Sequence, residues 1–270
     1  MNILFIGDVF GKPGRKAVQA LLPDLRKEHE IDLVIANGEN AAHGKGITNS
    51  TMQELLDAGV DVVTSGNHWA HQPEAIEMAE NDKLPFLRPL NYPPGTPGRG
   101  YMFTQVRTQK IMVINLMGRV FMPKVGSDPF RGLDSVLEAT AAEKPDVIIV
   151  DFHAEASAEQ VSFGYHADGK VTAVIGTHTH VPTDDASVLE KGTGHVTDVG
   201  MAGPQHSVIG VEPEAAIKAQ TTLMPTKLEV KDTNDVCLNY AVIHTTQSAA
   251  GELSKCGSLL RKTKLATIDE

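Results

Sequence analysis

Cysteine is scarce in this chain of 270 residues, which contains only Cys237 and Cys256. Two thiols are too few for a framework of disulfides in a chain of this length, and reduced cysteines are typical of proteins that stay inside the cell. The first sixteen residues, MNILFIGDVFGKPGRK, lack the basic start, the long apolar segment and the small-residue cleavage site of a secretory signal. We therefore expect a cytoplasmic protein.

Positive charge and long apolar runs are also lacking. The 24 lysines and arginines are outnumbered by 34 acidic residues, which gives a formal net charge of −10 at pH 7. Nucleic acids and anionic membranes are bound through basic surfaces, so this balance argues against both as partners, but not against a small anionic ligand. No segment approaches the ~18 consecutive apolar residues that a membrane span requires. The composition is compatible with a homo-oligomer.

Short apolar runs alternate with longer amphipathic stretches along most of the chain. The runs predict strands at residues 2–7, 31–36, 60–64, 111–116, 147–152 and 171–176. The amphipathic stretches predict helices at residues 14–28, 50–58, 73–79, 132–142 and 213–221. Strands separated by helices are typical of an α/β fold whose central strands are buried on both faces.

The domain organisation predicted from this pattern is simple. No internal repeat and no long linker interrupts residues 1–250, so we expect them to form a single domain. Residues 251–270 are polar and lack clear periodicity, which indicates a loosely packed C-terminal tail of unknown role.

Polar side chains follow five of the predicted strands at the point where each strand ends. They are Asp8, then Glu39 and Asn40, then Asn67 and His68, then His153, and finally His178 and His180. Ligands of open α/β sheets collect at the carboxyl ends of the strands, so these side chains are expected to lie together. Each residue alone could be a helix cap or a turn residue, but their coincidence at successive strand ends favours a functional site.

The donor types at these strand ends indicate a metal centre. Carboxylate, amide and imidazole groups suit Mn²⁺, iron or Zn²⁺, and the absence of thiolates disfavours a closed structural zinc site. His178 and His180 project to the same side of an extended backbone, so they can approach neighbouring ions. The donors exceed the needs of one tetrahedral ion, which favours two ions about 3.5–4 Å apart that share a carboxylate and activate water for phosphoryl transfer.

Other catalytic motifs are absent. Gly7, Gly11 and Gly14 have the wrong spacing for a dinucleotide-binding loop, and Pro13 stands where a P-loop requires serine or threonine. No G-x-S-x-G elbow is found, so a serine nucleophile has no support.

The residues at the strand ends resemble the pattern of the calcineurin-like metallophosphoesterases. Matching segments are Gly66-Asn67-His68, the isolated His153, and Gly176-Thr177-His178-Thr179-His180, in which one residue is inserted after the glycine. Two departures are visible. Phe10 stands where the family has the histidine of its initial D-x-H motif, and Glu39 followed by Asn40 replaces the bridging aspartate.

These departures narrow the resemblance to the YmdB-type bacterial phosphodiesterases, which is also visible at residues 37–46, 88–91, 151–156 and 197–201. The resemblance implies a metallophosphoesterase-like layered α/β fold with central mixed sheets flanked by helices. It further implies two iron or manganese ions per chain. The implied reaction is hydrolysis of a small phosphodiester, a cyclic nucleotide such as 2′,3′-cyclic AMP, by attack of a metal-bridging hydroxide.

The resemblance also assigns roles to individual side chains. One metal would be held by Asp8, Glu39, Asn40 and His180. The other would be held by Glu39, Asn67, His153 and His178, with Glu39 bridging the two ions. Asn40 would fill the place of the missing first-motif histidine, and His68 would be the general acid that protonates the leaving oxygen.

Two other functions stay open at this point. The same centre suits a phosphomonoesterase of small metabolites, and a non-catalytic signalling protein could bind a cyclic nucleotide without hydrolysing it. Arg88 and Arg119 are candidates for contacts with the phosphate or the base, because each lies in a predicted loop after a strand.

Overall fold

The computed structural model describes residues 1–123, 126–246 and 252–268. Its strands are β1 (Asn2–Ile6), β2 (Asp8–Val9), β3 (Leu33–Asn37), β4 (Val62–Thr64), β5 (Tyr101–Val106), β6 (Gln109–Met117), β7 (Val147–His153), β8 (Ala173–Thr177), β9 (Ser187–Val188), β10 (Gly194–Val196), β11 (Met201–Pro204), β12 (Asp235–Thr245) and β13 (Cys256–Thr267). Its helices are α1 (Gly11–Glu28), α2 (Asn49–Asp57), α3 (Pro73–Glu80), α4 (Pro129–Ala139), α5 (Ser157–Ala167) and α6 (Pro213–Thr222).

The strands form two mixed sheets. In the first, the order is β2-β11-β12-β1-β3-β4, and β13 pairs with β12. In the second, the order is β5-β6-β7-β8-β10-β9. The strands β1, β3 and β4 are parallel neighbours in the first sheet, as are β6, β7 and β8 in the second. The antiparallel pairing of β1 with β12 joins Asn2 to His244.

The core has three apolar layers because both faces of each sheet are covered. Successive side chains of a strand point to opposite faces. Ile3 of β1 therefore packs between the two sheets, whereas its neighbour Leu4 packs under α1. In the second sheet, Val113 faces the first sheet and Ile114 packs against Leu133 of α4. The result is a helix–sheet–sheet–helix stack, which explains why the central strands are continuous apolar runs.

The predicted strands and helices are present with small shifts at their ends, but α5 was missed, as were β5 and the long strands β12 and β13. This helix connects β7 to β8 and buries Glu159 and Gln160 along with Phe163. Two polar residues on the buried face hide the apolar periodicity on which helix prediction depends.

The predicted loose packing of the C-terminal residues is wrong for residues 252–268. There, β13 forms an antiparallel ladder along the whole of β12, and Leu259 and Cys256 are buried in the layer between the sheets. Many of its other side chains are exposed, which explains the polar sequence of an edge strand. Residues 251, 269 and 270 lie outside the described residues.

None of the described helices is long and apolar enough to cross a membrane.

The carboxyl ends of the parallel strands of both sheets open on the same side of the molecule. This is seen from the contact between Glu39, which follows β3, and His153, which ends β7; Glu39 Oε2 and His153 Nε2 lie 3.3 Å apart.

The burial of β13 can be tested with two adjacent leucines. Leu259 is 5% exposed and Leu260 is 51% exposed. We expect Leu259→Ala to lower the free energy of unfolding in urea by about 3 kcal/mol, because it leaves a cavity between the sheets. The matched Leu260→Ala variant should change it by less than about 0.5 kcal/mol. Equal effects of the two variants would contradict this placement of β13.

Candidate metal centre

The structure brings together all of the side chains predicted from the strand ends, which are Asp8, Glu39, Asn40, Asn67, His68, His153, His178 and His180. His153 lies near the middle, with its Nε2 atom 3.1 Å from Asn67 Oδ1 and 3.1 Å from His178 Nδ1. Its Nδ1 atom lies 3.9 Å from Asp8 Oδ1. On the other side of Glu39, Asn40 Nδ2 lies 3.2 Å from His180 Nε2. The carboxyl ends of the two sheets thus form one polar cluster.

Glu39 faces both halves of this cluster. Its Oε2 atom accepts the backbone N–H of His68 at 3.0 Å and lies 3.3 Å from His153 Nε2. Its Oε1 atom accepts from Asn40 Nδ2 at 3.0 Å and lies 3.2 Å from His68 Nδ1. Burial alone would raise the pKa of Glu39, but the neighbouring His153 and His68 outweigh it and hold the pKa well below its usual range. Glu39 is therefore an ionised carboxylate at neutral pH.

A chain of hydrogen bonds fixes the proton of His153. The hydroxyl of Thr177 donates to Asp151 Oδ1 at 2.7 Å, so its oxygen accepts from His153 Nδ1 at 2.9 Å. Burial raises the pKa of Asp151 to about 6, which leaves it an ionised acceptor at neutral pH. Because Thr177 holds Nδ1, Nε2 points at Glu39 and Asn67, where it can bind a metal ion once its own proton has left.

His178 is held in the opposite tautomer. Its Nε2 atom lies 3.0 Å from Glu155 Oε2, so the proton belongs on Nε2 and the lone pair on Nδ1. Burial and the nearby His153 lower the pKa of His178 to about 3, so the ring is neutral. The lone pair of Nδ1 faces His153 Nε2 at 3.1 Å.

Donor atoms of Glu39, Asn67, His153 and His178 thus converge on one position. Their atoms lie 3.1–3.3 Å apart along the measured contacts. Neighbouring ligands of an ion bound at about 2.1 Å are separated by about 3.0–3.4 Å. Burial lowers the pKa of His153, yet Glu39 and Asp8 raise it to about 9, which means that the position attracts positive charge. A divalent cation fits this position.

A second position lies on the other side of Glu39. Asp8 Oδ2 accepts the backbone N–H of His178 at 3.0 Å, but the buried Oδ1 atom has no hydrogen-bond partner among the described residues. A buried carboxylate oxygen without a partner is costly unless a cation neutralises it. His180 Nδ1 donates to the carbonyl of Ile209 at 2.9 Å, so its Nε2 lone pair, 4.0 Å from Asp8 Oδ1, is available to an ion.

The side-chain amide of Asn40 is not oriented as a metal ligand requires. Its amide nitrogen faces His180, while its Oδ1 atom accepts from His68 Nδ1 at 2.9 Å. A carbonyl ligand beside His180 requires the amide to rotate by half a turn.

Backbone geometry explains two features of the motif. A Cβ atom on Gly66 would lie 2.2 Å from His153 Nε2 and 2.4 Å from Glu39 Oε2, so only glycine leaves room for the donor atoms. His178 and His180 have backbone φ angles of 108° and 67°, which residues other than glycine rarely adopt. Asp198 holds this loop, because it accepts from both the N–H and the hydroxyl of Thr179 at 2.8 Å.

Sequence reasoning missed the residues that support the ligands, namely Asp151, Thr177, Glu155 and Asp198. The sequence does point to Asp151, because this carboxylate directly follows the apolar run Val147–Val150. In the structure it is fully buried in β7. Glu155 is exposed, and no feature of the sequence points to its role.

The predicted ligand-contacting role of Arg88 is wrong. Its guanidinium donates to main-chain carbonyls of the adjacent loop, those of Pro89, Leu90, Thr96, Pro97 and Gly98. Arg88 therefore holds this proline-rich loop in place. The role of Arg119, whose side chain is 41% exposed and lies 3.6 Å from Asp128, stays a prediction.

A family model described as "YmdB-like protein" matches residues 4–256. The chain belongs to this YmdB-like family. It is 43% identical over 232 residues to the 2′,3′-cyclic-nucleotide 2′-phosphodiesterase of Bacillus subtilis, a match that covers 86% of this chain and 87% of the relative. A crystal structure of a hypothetical protein from Thermus thermophilus is 41% identical, with a TM-score of 0.88 over 98% of this chain and 99% of that chain.

A solved structure with a much lower sequence identity shares the fold of this chain. The NAD nucleotidase of Haemophilus influenzae is 15% identical, with a TM-score of 0.55 over 100% of this chain and 60% of that chain. The predicted metallophosphoesterase-like layered α/β fold is confirmed. This YmdB-like chain is an enzyme, a phosphoric diester hydrolase of the metallophosphoesterase class.

The hydrogen bonds of Thr177 generate a prediction about metal affinity. Thr177→Val keeps the shape of this fully buried side chain but removes the hydroxyl that orients His153. We expect the affinity for Mn²⁺, measured by titration calorimetry, to fall about 10–100-fold. Thr177→Ser keeps the hydroxyl and should bind Mn²⁺ as the unmodified chain does. Unchanged affinity in the valine variant would show that this contact does not support the metal site.

Proposed function

We propose that the chain hydrolyses 2′,3′-cyclic nucleotides, 2′,3′-cyclic AMP among them, at a centre of two metal ions. The observation that carries the proposal is the convergence of carboxylate, amide and imidazole donor atoms around Glu39, together with the unpartnered Oδ1 atom of Asp8. The substrate class is supported by the name of the Bacillus subtilis relative.

The proposed ligands fall into two sets that share Glu39. The first set is Asp8, Glu39, Asn40 and His180, and the second is Glu39, Asn67, His153 and His178. Carboxylate, amide and imidazole donors without thiolates favour manganese or iron. When bound at these residues, the two ions would activate a water molecule for attack and would neutralise charge on the phosphate.

His68 is the proposed general acid. Its Nδ1 atom lies 3.2 Å from Oε1 of the ionised Glu39, so Nδ1 carries a proton that stays in this contact. Nε2 is the atom left to deliver a proton. The ring is 29% exposed and lines the cavity beside the metal-ligand candidates, where a leaving oxygen can reach it.

The remaining proposals concern partners and location. A small phosphodiester is the proposed substrate. A cytoplasmic location and a homo-oligomer stay predictions from the composition.

The reaction can be tested with 2′,3′-cyclic AMP and manganese-reconstituted protein. We expect opening of the ring to a single nucleoside monophosphate, identified by chromatography against the 2′ and 3′ standards. Asp8→Ala should abolish turnover because it removes a proposed metal ligand, whereas Asp24→Ala, on the exposed side of α1, should not. Turnover of phosphomonoesters alone would favour the phosphomonoesterase function, and binding without turnover by metal-loaded protein would favour the signalling function.

The role of His68 predicts a separation of metal binding from catalysis. His68→Ala should keep both metals, measured by elemental analysis, and lower kcat for 2′,3′-cyclic AMP by ~10²–10⁴-fold, because the alkoxide would leave without a proton. His206→Ala, which changes an exposed histidine outside the site, is the control. An unchanged kcat in His68→Ala would remove this residue from the mechanism.

A further inference from the structure

A cavity of about 550 Å³ opens directly beside the candidate metal ligands. Its size falls in the range of small-molecule sites, about 300–1,000 Å³. Glu39, His68, His178 and His180 line one end of it. The phosphate of a substrate bound at this end leaves the rest of the cavity for another part of the same molecule.

The wall beyond the metal-ligand candidates is apolar. It is contributed by residues 205–234, the connection between β11 and β12, through Ile209, Val211, Leu228 and Val230. Ile209 and Leu228 are each 51% exposed. Neither a phosphate nor a metal ion requires an apolar wall, so these side chains indicate an apolar surface on the ligand.

The cavity lining also has polar residues, His43, Lys45, His71 and Gln72. The Gln72 amide donates to the carbonyl of Lys45 at 3.0 Å, which joins the two loops of this polar rim. A ligand in the cavity therefore meets both an apolar surface and hydrogen-bonding groups.

The apolar wall is fixed relative to the metal centre. Ile209 has a φ of 47°, a conformation that a β-branched residue rarely adopts. Its carbonyl accepts the hydrogen bond from His180 Nδ1 at 2.9 Å, which ties this strained residue to a candidate ligand. The backbone of the next residue, Gly210, packs closely against Phe10. A Cβ atom on Gly210 would lie 2.3 Å from the ring of Phe10. Backbone strain of this kind is typical of functional sites.

We propose that this cavity binds the nucleobase of the cyclic nucleotide, with the face of the base against Ile209 and Leu228 and its polar edge toward the rim. A base has an apolar, planar face and hydrogen-bonding atoms at its edge, which matches the apolar and the polar residues that line the cavity. The tie between Ile209 and His180 sets the distance from base to phosphate. The inference rests on the proposed function and adds to it the part of the substrate that determines specificity.

The test compares two cyclic phosphates that differ in the base. They are 2′,3′-cyclic AMP and 1-O-methylribose 2′,3′-cyclic phosphate, which has no base. We expect the unmodified, manganese-loaded enzyme to prefer the first in kcat/KM. Leu228→Ala should lower this preference about tenfold, because it removes apolar contact with the base. Leu223→Ala should leave the preference unchanged, since Leu223 lies in the same connection, is 87% exposed and does not line the cavity.

The outcomes separate this inference from the proposed function. If the unmodified enzyme opens both compounds with equal kcat/KM, or if Leu228→Ala leaves the preference unchanged, the base site is wrong and the proposed function stands. If the metal-loaded enzyme opens neither compound, the proposed function itself is wrong, and the base site is overturned with it.

Discussion

The negative charge of Glu39 is the constraint on which the rest of the site depends. A carboxylate that is 1% exposed stays ionised only if positive charge or hydrogen-bond donors surround it. On one side of Glu39 lies the pair of imidazoles His153 and His178, and on the other lies Asp8 with its unpartnered oxygen. The cluster therefore carries more negative charge and more lone pairs than its own protons can satisfy. Metal ions compensate such a cluster better than protons do, because one cation accepts several lone pairs at once.

The two sheets and the loops around them place these groups by different means. β3 delivers Glu39 from the first sheet and β7 delivers His153 from the second, so the centre lies where the two sheets meet. Each imidazole is then set in one tautomer by an acceptor outside the cluster: Thr177 for His153, Glu155 for His178 and the Ile209 carbonyl for His180. The last of these acceptors belongs to the cavity wall. Ligand orientation and substrate recognition are thus linked through a single hydrogen bond.

The cluster could be predicted from the sequence because β1, β3, β4, β7 and β8 are apolar on both faces, so a polar residue at their ends stands out. The supporting contacts could not be predicted, because they join residues distant in the sequence. Glu159 is an example: it is buried in α5 because it accepts the backbone N–H groups of Arg119 and Val120, 40 and 39 residues away. A local sequence pattern does not reveal a partner this distant in the sequence, so the helix α5 was not predicted. Arg88 misled in the same way, since its sequence position resembles that of a phosphate-binding arginine while its hydrogen bonds go to backbone carbonyls.

The pairing of β1 with β12 has a consequence for the order of folding. Asn2 lies opposite His244, so β1 gains its antiparallel neighbour β12 only after all of the residues between them have been synthesised. Pairings of such high contact order are slow to form, and they leave the early strands exposed in the meantime. Asp8 directly follows β1, and its own short strand pairs with β11, which is also made late. The centre is therefore assembled after translation of its last structural partners, and a nascent chain that exposes Asp8 and Glu39 lacks the geometry to retain a metal ion.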